Sequence, residues 1–403
     1  MGASLYDENE IDLGQRKVKE ISSHPAVVVR RARYSDYPAI AIFLREAYGA
    51  IAPFKAKDRW AWQFKNNPYT TSPVGCAPVW IAELSGTVVG QIAVQEGSIE
   101  IDGTRRPAGW VVDVMILPSY RGLGLGHQLF AAVAKDYPLL VTLTMAPATR
   151  RMANRLGAVE FGKVELYSRL LNLDEQITRR YFRVRTRHRP RVAWVSEALC
   201  TYMHVDRIVA HVGNLLLLLE NAFSRLPRTK NVTQIVEVER FGSEMDALWK
   251  TLSTDFPVAI ARDSKFLNWR FCECPQMEYR CFQAIRDNKV VGYLVLRRTH
   301  AAELPEGIIA DLVAAREDRE TVGELIGFAL EWFGNSVAAI ECASSIPEFA
   351  TTLRKFRFHR VRTERPNAVV ADSEVRKRIA TSSGDWLLSK ADHDWDQIRP
   401  AER

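Results

Sequence analysis

Arg121-Gly-Leu-Gly-Leu-Gly126 sets three glycines at alternating positions behind an arginine, directly after Pro118-Ser-Tyr120. Glycine lacks a Cβ, so such a turn can take dihedrals closed to other residues and let a ligand approach its backbone. The amides of a helix's first turn have no intrahelical acceptor, and their partial positive charge favours an anion such as a diphosphate. Arg121 adds a cation capable of a bidentate grip. Gly122, Leu123, Gly124, Leu125 and Gly126 are therefore candidate anion contacts, with His127 inside the first helical turn beside them. The segment is not a Walker loop, because the Gly-Lys-Ser/Thr ending is absent. Nor is it a dinucleotide fingerprint. Its strand follows a hairpin rather than opening a βαβ unit, and Leu143-Thr144 offers no acidic ribose partner.

The loop needs a strand to deliver it and a helix to lead away. Trp110 to Leu117 reads as that strand and Gly124 to Lys135 as that helix. Upstream, Ala26–Arg30 is a strand and Tyr34–Pro38 a helix start, with a helix running to about Tyr48. Val79–Glu83 and Thr87–Val94 flank Ser85-Gly86 as an antiparallel hairpin. Downstream come a strand at Leu139–Met145, a helix at Ala148–Leu156 closed by Gly157, and a strand at Phe161–Leu170. The expected organisation is an N-terminal extension (1–25), a first domain (26–172), a helical connector (173–230) and a second domain (231–403). The second domain echoes the first. Cys281–Ile285 and Val290–Leu296 repeat the hairpin with its Val-Val-Gly, Gly307–Val313 mirrors the strand at Trp110–Met115, and Thr321–Trp332 and Ser336–Glu341 follow as helix and strand. Two matched units point to duplication; an unrelated α/β partner domain is the alternative.

Composition bounds the function. The chain has 403 residues, 47% hydrophobic and 26% charged, with a formal charge of +7, as expected of a soluble protein with two or three cores. Arg179, Arg180, Arg183, Arg185, Arg187, Arg189 and Arg191 concentrate part of that charge. They are read as a solvated face or a contact for an anionic cofactor rather than a nucleic-acid surface. The six cysteines show no disulfide framework, which places the protein in a reducing cytoplasm. Cys272-Glu-Cys274 lacks a zinc-knuckle spacer, so no metal is expected. The carboxylate-rich Gly384–Trp395, with His393, reads as a terminal strand and tail. The polar N-terminus lacks a signal peptide's apolar core. Ile208–Leu219 is too short for a membrane span and is expected as a buried helix, with a helix resting on a membrane surface as the alternative.

Val112 to Leu129 resembles the acyl-CoA-binding segment of the GNAT acyltransferase superfamily, whose Arg/Gln-x-x-Gly-x-Gly/Ala motif is matched by Arg121, Gly124 and Gly126. The likeness extends to Ala82-Glu83, Val89-Gly90 and Ala153–Gly157. It implies an α/β (mixed α+β) fold of two GNAT-like domains, each a twisted, mainly antiparallel sheet flanked by helices, joined by the helical connector. It also implies acetyl-CoA, or another acyl-CoA, lying in a splay between the fourth and fifth strands. Val114, Met115 and Ile116 would present backbone groups to the acyl arm, Gly122–Gly126 would meet the diphosphate, Val141–Thr144 would form the opposite wall, and Asn154 could hold a cofactor oxygen. In the second domain, Asp263–Arg270 and Val290–Leu294 resemble segments of GNAT-like domains in bacterial tandem proteins. Val313–Glu324 lacks the glycine loop, however, and Glu317, Asp318 and Glu320 would repel a diphosphate. One cofactor site is expected.

Acyl transfer to an amine needs a base, an oxyanion contact and a proton donor. Asp113, Glu83 and Glu96 are the candidate bases, Asp113 being placed by period-two alternation on the face opposite its neighbours. The amide near Met115 is the oxyanion contact that the resemblance implies. Many relatives carry a tyrosine acid before the late glycine, but Arg151–Gly157 has none, and Tyr167 reads as a packing residue. Trp60–Pro68 could border the acceptor or simply form core. The function these residues imply is transfer of an acetyl group to the amine of a small metabolite or amino sugar by direct attack, by a monomer or homodimer without a membrane span or nucleic-acid partner. The alternatives are a non-catalytic CoA-binding or scaffold protein, and protein or peptide acetylation.

Overall fold

The computed structural model describes residues 27–55, 57–173, 178–179, 190–223, 233–299, 305–381, 384, 386–392 and 394–397. The N-terminal extension, much of the arginine-rich run and His393 lie outside these residues. In chain order the first half carries β1 (Val28–Arg33), α1 (Tyr37–Tyr48), α2 (Lys57–Trp60) running into a π-turn (Ala61–Lys65), β2 (Cys76–Leu84), β3 (Thr87–Ile101) and β4 (Thr104–Ile116). It continues with α3 (Leu125–Asp136), β5 (Leu139–Thr142), α4 (Pro147–Arg155), β6 (Val159–Glu160) and β7 (Val164–Leu170). Two helices follow, α5 (Pro190–Met203) and α6 (Val205–Phe223). The second half carries β8 (Gln234–Val238), α7 (Glu244–Leu252), β9 (Val258–Ile260), α8 (Ser264–Leu267) with a second π-turn (Asn268–Cys272), β10 (Tyr279–Arg286), β11 (Lys289–Arg298) and β12 (Gly307–Ala314). After these come α9 (Arg319–Phe333), β13 (Ala339–Ser344), α10 (Pro347–Lys355), β14 (His359–Glu364), β15 (Asn367–Val370), α11 (Ser373–Thr381) and β16 (Trp386–Leu387).

These elements form two sheet-and-helix units of the same plan. In the first, the strand order is β1-β2-β3-β4-β5-β15-β6. The β1–β2 and β2–β3 pairs are antiparallel, β4–β5 is parallel, and β15 runs antiparallel to β5 and β6 on its two sides. One core packs Ile40, Phe43, Trp60 and Phe64 with Val79, Ile81 and Val112. The other packs Leu129, Phe130 and Val133 of α3 with Trp80, Ile92 and Val111. Burying Leu125, Leu129, Phe130 and Val133 on one face is the spacing that drives α3 onto a sheet.

The second unit has the order β8-β10-β11-β12-β13-β7-β14. Its membership differs from the contiguous span read in the sequence: it gains β7 and gives up β15 and α11. β7, made as the end of the first half, pairs with β13 and β14 here, while β15 takes the corresponding place in the first sheet. Alternation specifies which face of a strand is buried but not which sheet receives it, so this reciprocal exchange left no mark in the pattern. Within the second unit β9 pairs antiparallel with Ile99–Ile101 and parallel with β16.

The internal repeat extends to atomic detail. A Cβ on Gly90 would lie 2.4 Å from Ile116 Cδ1 and 3.4 Å from the Met115 carbonyl; on Gly292 it would lie 2.8 Å from the Val313 carbonyl and 3.1 Å from Ala314 Cβ. The glycine of each Val-Val-Gly thus lets the third strand approach the end of the fourth. Both π-turns close with a hydrogen bond across five residues, Asn66 N to Ala61 O at 2.7 Å and Glu273 N to Asn268 O at 2.9 Å. Trp62-Gln-Phe64 and Trp269-Arg-Phe271 share this setting, each with a proline six residues after the tryptophan. Trp62 and Phe64 are buried core rather than a substrate cover.

The expectation of a buried helix at Ile208–Leu219 is overturned. Ile208, Val212, Leu215, Leu216 and Leu219 are exposed, and α6 instead turns Asp206, Ala210, Gly213 and Asn214 inward. Among the described residues, no helix is long and apolar enough to cross a membrane.

Candidate active site in the first unit

Leu117 N donates to Val89 O at 3.0 Å and so ties the end of β4 to β3; a short 3-10 turn, Pro118–Tyr120, then leads to the glycine loop. Gly122 and Gly124 have φ of +85° and +76°, with nothing within 4 Å of a built Cβ. Glycine is needed there for the left-handed backbone, and the space beside it is open. Gly126 differs: a Cβ would sit 2.7 Å from Met152 Sδ, so this glycine serves the packing of α3 on α4. His127 N and Gln128 N both donate to Gly124 O, so the amides of Leu125 and Gly126 precede the first helical hydrogen bond. Arg121 Nε donates to Ile116 O at 3.1 Å. This anchors the guanidinium at the strand's end, while its terminal nitrogens have no partner among the described residues. Leu123, His127 and Asn154 are exposed around this loop.

The parallel pairing of β4 and β5 is brief. It comprises Gly109 with Leu140 and Trp110 with Val141. β4 then continues to Ile116 while β5 ends at Thr142, held from its other side by Asn367 of β15. The strands therefore part after Trp110. Asp113, Val114, Met115 and Ile116 are only half-buried although β4 is an interior strand. Such an opening leaves backbone donors and acceptors of β4 without a strand to pair with, which a polar ligand can satisfy.

Asp113 stands at φ +51°, a backbone region uncommon for residues other than glycine and more tolerant of Asp and Asn. The consequence corrects the alternation argument. Val112 joins the core beside α1, and Asp113 reaches Tyr48 of α1, so the two neighbours share a face; Val111 and Val114 pack on the α3 side. The left-handed residue acts as a bulge and resets the pleat. Asp113 Oδ1 accepts from Lys55 Nζ at 2.6 Å and from Tyr48 OH at 3.0 Å, and both charged side chains are almost fully buried. The ammonium also lies 5.5 Å from the Tyr48 ring centroid. Oδ2 has no partner among the described residues.

Glu83 and Glu96 stand elsewhere, and no hydrogen bond links either to Asp113. Glu83, at the hairpin end of β2, pairs with Arg30, which also binds Asp36. Glu96 is buried and saturated. It accepts from the Thr70 and Thr71 hydroxyls at 2.6 and 2.9 Å, from Thr71 N at 3.2 Å, from Ser72 Oγ at 3.1 Å and from Tyr137 OH at 2.8 Å. Burial and then this carboxylate push the Tyr137 phenol upward. Tyr167 lies in the second unit's sheet, fully buried and bonded to Glu165. Tyr48 and Lys55 are the site residues that sequence reasoning missed. They lie about sixty positions before Asp113: Tyr48 closes a segment that reads as ordinary helix, and Lys55 follows it in a stretch to which the pattern assigns no element.

The corresponding place in the second unit is built differently. Asp318 caps α9, accepting from Thr321 N at 3.0 Å and pairing with Arg286 at 2.7 Å, so the helix start is already served by a carboxylate. β12 and β13 also pair only briefly, over Gly307–Ile309. The chain's own C-terminal segment then fills in. Ser345 N donates to Leu388 O at 3.1 Å, Leu388 N to Ser345 Oγ at 2.8 Å, and Ser389 Oγ to Asp311 Oδ1 at 2.8 Å. What remains is a small apolar cavity lined by Leu312, Ile326, Leu353 and Leu387. Among the described residues no cluster of histidine, cysteine and carboxylate side chains could hold a metal.

Residues 28–158 match the family model of an acetyltransferase (GNAT) domain. Among solved structures, a GCN5-related N-acetyltransferase from Anabaena variabilis aligns with a TM-score of 0.55 at 12% identity, over 86% of this chain and 73% of that one. A GCN5-related N-acetyltransferase from Kribbella flavida aligns at 0.50 and 13% identity, over 85% and 70%. Saccharomyces cerevisiae N-myristoyltransferase, solved with bound myristoyl-CoA, aligns at 0.50 and 10% identity, over 90% and 89%. At such identities the likeness is one of fold, and the fold is that of the GNAT superfamily. No curated protein sequence matches significantly.

Proposed function

We propose that this chain is an acyl-CoA-dependent N-acyltransferase with its cofactor site in the first unit. The observation that carries the reading is the parting of β4 and β5 after Trp110, which runs out into a left-handed glycine loop at a helix start. The residues present fit the cofactor: open space at Gly122 and Gly124, unpaired first-turn amides at Leu125 and Gly126, and the free end of the Arg121 guanidinium suit a diphosphate. The half-buried Val114–Ile116 edge offers backbone groups to the acyl arm, with the Met115 amide at the developing oxyanion. Bound acyl-CoA supplies the activated acyl carbon.

In this reading Asp113 takes the proton from the acceptor amine through Oδ2, while Lys55 and Tyr48 hold Oδ1 and fix the carboxylate's orientation. Glu83 and Glu96 serve the fold, one as a half-exposed ion pair and the other as a buried hydrogen-bond hub. The acyl group is acetyl and the acceptor a small metabolite or amino sugar. The second unit, with its capped helix and filled splay, supports the fold without taking cofactor. A non-catalytic CoA-binding protein is the second reading, and the absence of a tyrosine from Arg151–Gly157 favours it.

Calorimetry with acetyl-CoA tests the first claim. We expect one site per chain and loss of binding in the Arg121→Ala, Gly124→Glu double variant; no binding by the native protein refutes the cofactor assignment. A thiol-release assay across small amines then separates the two readings. Turnover abolished by Asp113→Asn supports the proposed base. An unchanged rate removes it, and binding without turnover for any amine selects the non-catalytic reading.

A further inference from the structure

Two thiols of the second unit stand next to one another. Cys272 ends the π-turn Asn268–Cys272 and Cys281 lies near the start of β10, where its thiol donates a hydrogen bond to the Cys272 sulfur. The segments that carry them are held together beside the thiols. The Phe271 and Tyr279 rings meet edge to face with centroids 5.1 Å apart, and Arg270 Nη1 donates to Tyr279 OH at 3.1 Å. Cys281 is also fixed by its strand, which pairs it with Val238 of β8 and Val295 of β11.

The fold does not call for sulfur at these places. Trp62 and Trp269 bring the sequences of the two π-turns into register, and Gly90 and Gly292 those of the two hairpins. On that register Lys65 of the first unit corresponds to Cys272, and Val79 to Cys281. The same turn and the same strand therefore form from an exposed lysine and a buried valine. The dithiol is an addition to the shared plan.

The two thiols differ in ways that divide a reaction between them. Cys272 is half-buried and so reachable from solvent, whereas Cys281 is 4% exposed. The hydrogen bond from Cys281 lowers the Cys272 thiol. Burial opposes this, the charge of Arg240 adds to the lowering, and Glu273, which pairs with Arg240 at 2.6 Å, works against it. The same hydrogen bond, together with burial, raises Cys281. The thiolate is the nucleophile, so Cys272 is the thiol that attacks an incoming reagent and Cys281 the one that waits beside it. Cys274, two residues on, is buried, and its sulfur accepts from Gln397 Nε2 at 3.8 Å.

We propose that Cys272 is a site of reversible oxidation by hydroperoxides, with Cys281 as its resolving thiol. The Cys272 thiolate attacks one oxygen of hydrogen peroxide and the O–O bond breaks. The sulfur is left as sulfenic acid, and the departing hydroxide takes up a proton to become water. The Cys281 sulfur then attacks the Cys272 sulfur, the S–O bond breaks, and the departing hydroxide takes the Cys281 proton. In sum, two thiols and one peroxide give one disulfide and two waters. A dithiol reductant returns both thiols by exchange. The bond closes the 272–281 loop, whose Cys274 and Tyr279 contact Gln397 and Asp396 near the end of the chain. The proposal does not depend on the acyl-transfer reading.

The test treats the full chain with a small excess of hydrogen peroxide, alkylates the remaining thiols in denaturant and maps the peptides without reduction. Trypsin cuts after Arg270, Arg280 and Arg286, so the expected bond joins peptide 271–280 to peptide 281–286. Two of the six thiols should disappear from each chain, and dithiothreitol should restore them. Cys274→Ser should leave the cross-link in place, which assigns it to Cys272 within the first peptide. Cys272→Ser should abolish the cross-link and slow thiol loss at least about tenfold. Cys281→Ala should leave a sulfenic acid on Cys272 that dimedone traps. Circular dichroism verifies that each variant folds, and the cross-link in the native protein decides the question if Cys281→Ala does not. Retention of all six thiols overturns the proposal. So does a cross-link that runs through Cys274 or between chains, or sulfinic acid on Cys272 with Cys281 untouched.

Discussion

The buried pair of Lys55 and Asp113 makes a quantitative prediction. At 2.6 Å and an effective dielectric constant near 20, their attraction is about 6 kcal/mol. Desolvation of both groups offsets much of this, so the pair's net contribution is small, but removing one partner takes away the other's counter-charge and costs about 3–5 kcal/mol. Lys55→Met keeps the side-chain length while deleting the ammonium and its contact with the Tyr48 ring. Asp113→Asn keeps a residue that tolerates the left-handed backbone while deleting the carboxylate charge. Each single variant should lower the thermal midpoint by roughly 6–20 °C for a unit of this size. The double variant should recover part of that loss, because both halves of the pair are then gone. Differential scanning calorimetry on the four proteins closes the cycle. Additive losses, or a cost below about 1 kcal/mol for Lys55→Met, would refute a buried, mutually dependent pair and with it the account of how Asp113 is oriented.

Three further outcomes follow from the same reasoning. Glu96→Ala should cost about 2–3 kcal/mol, because the buried Tyr137 hydroxyl and the part-buried donors of the 70–72 segment lose their acceptor, whereas Glu83→Ala should cost under about 1 kcal/mol for its half-exposed pair; thermal melts that reverse this order refute the assignment of Glu96 as the hub. The Arg30 guanidinium holds the Asp36 carboxyl below its ordinary value, so its stabilisation is present above the usual carboxylate range and lost as pH falls through the lowered value. Asp36→Asn should flatten that part of the acid-unfolding curve followed by circular dichroism, and an unaltered curve contradicts the linkage. Burial pushes the Cys342 thiol up to about 12, while a hydrogen bond from Cys281 lowers Cys272, so iodoacetamide at neutral pH should label Cys272 well before Cys342 in peptide mass spectra; equal labelling speaks against both environments.

The parts of this fold legible in the sequence were those governed by local rules. The Ser85-Gly86 hairpin, the Arg121–Gly126 turn and the Val-Val-Gly echo were all visible because turn chemistry and periodicity act over a few residues. The second echo, Trp62-Gln-Phe64 against Trp269-Arg-Phe271, stood in plain view but gained meaning only from the shared π-turn. Pattern failed where a long-range partner decides the outcome. The face of Asp113 depended on one left-handed dihedral, its companions Tyr48 and Lys55 on tertiary packing, and the sheet that receives β7 on pairing energetics that alternation does not encode. The outward leucines of α6 misled for a related reason. Hydrophobicity indicates that a surface seeks burial, not whether the chain itself supplies it.

The exchanged strands also give the molecule a timetable. The first unit needs β15 between β5 and β6, and the chain from Thr142 to Asn367 takes about 10–45 s to synthesise at roughly 5–20 residues per second. For that interval the Leu139–Thr142 edge has no strand to cover it, and an open edge is where nascent chains aggregate. Folding of the N-terminal half therefore cannot finish while that half is being made; it waits for the last tenth of the chain to emerge, and a ribosome that stalls in the second half leaves behind a first unit without the strand that closes it.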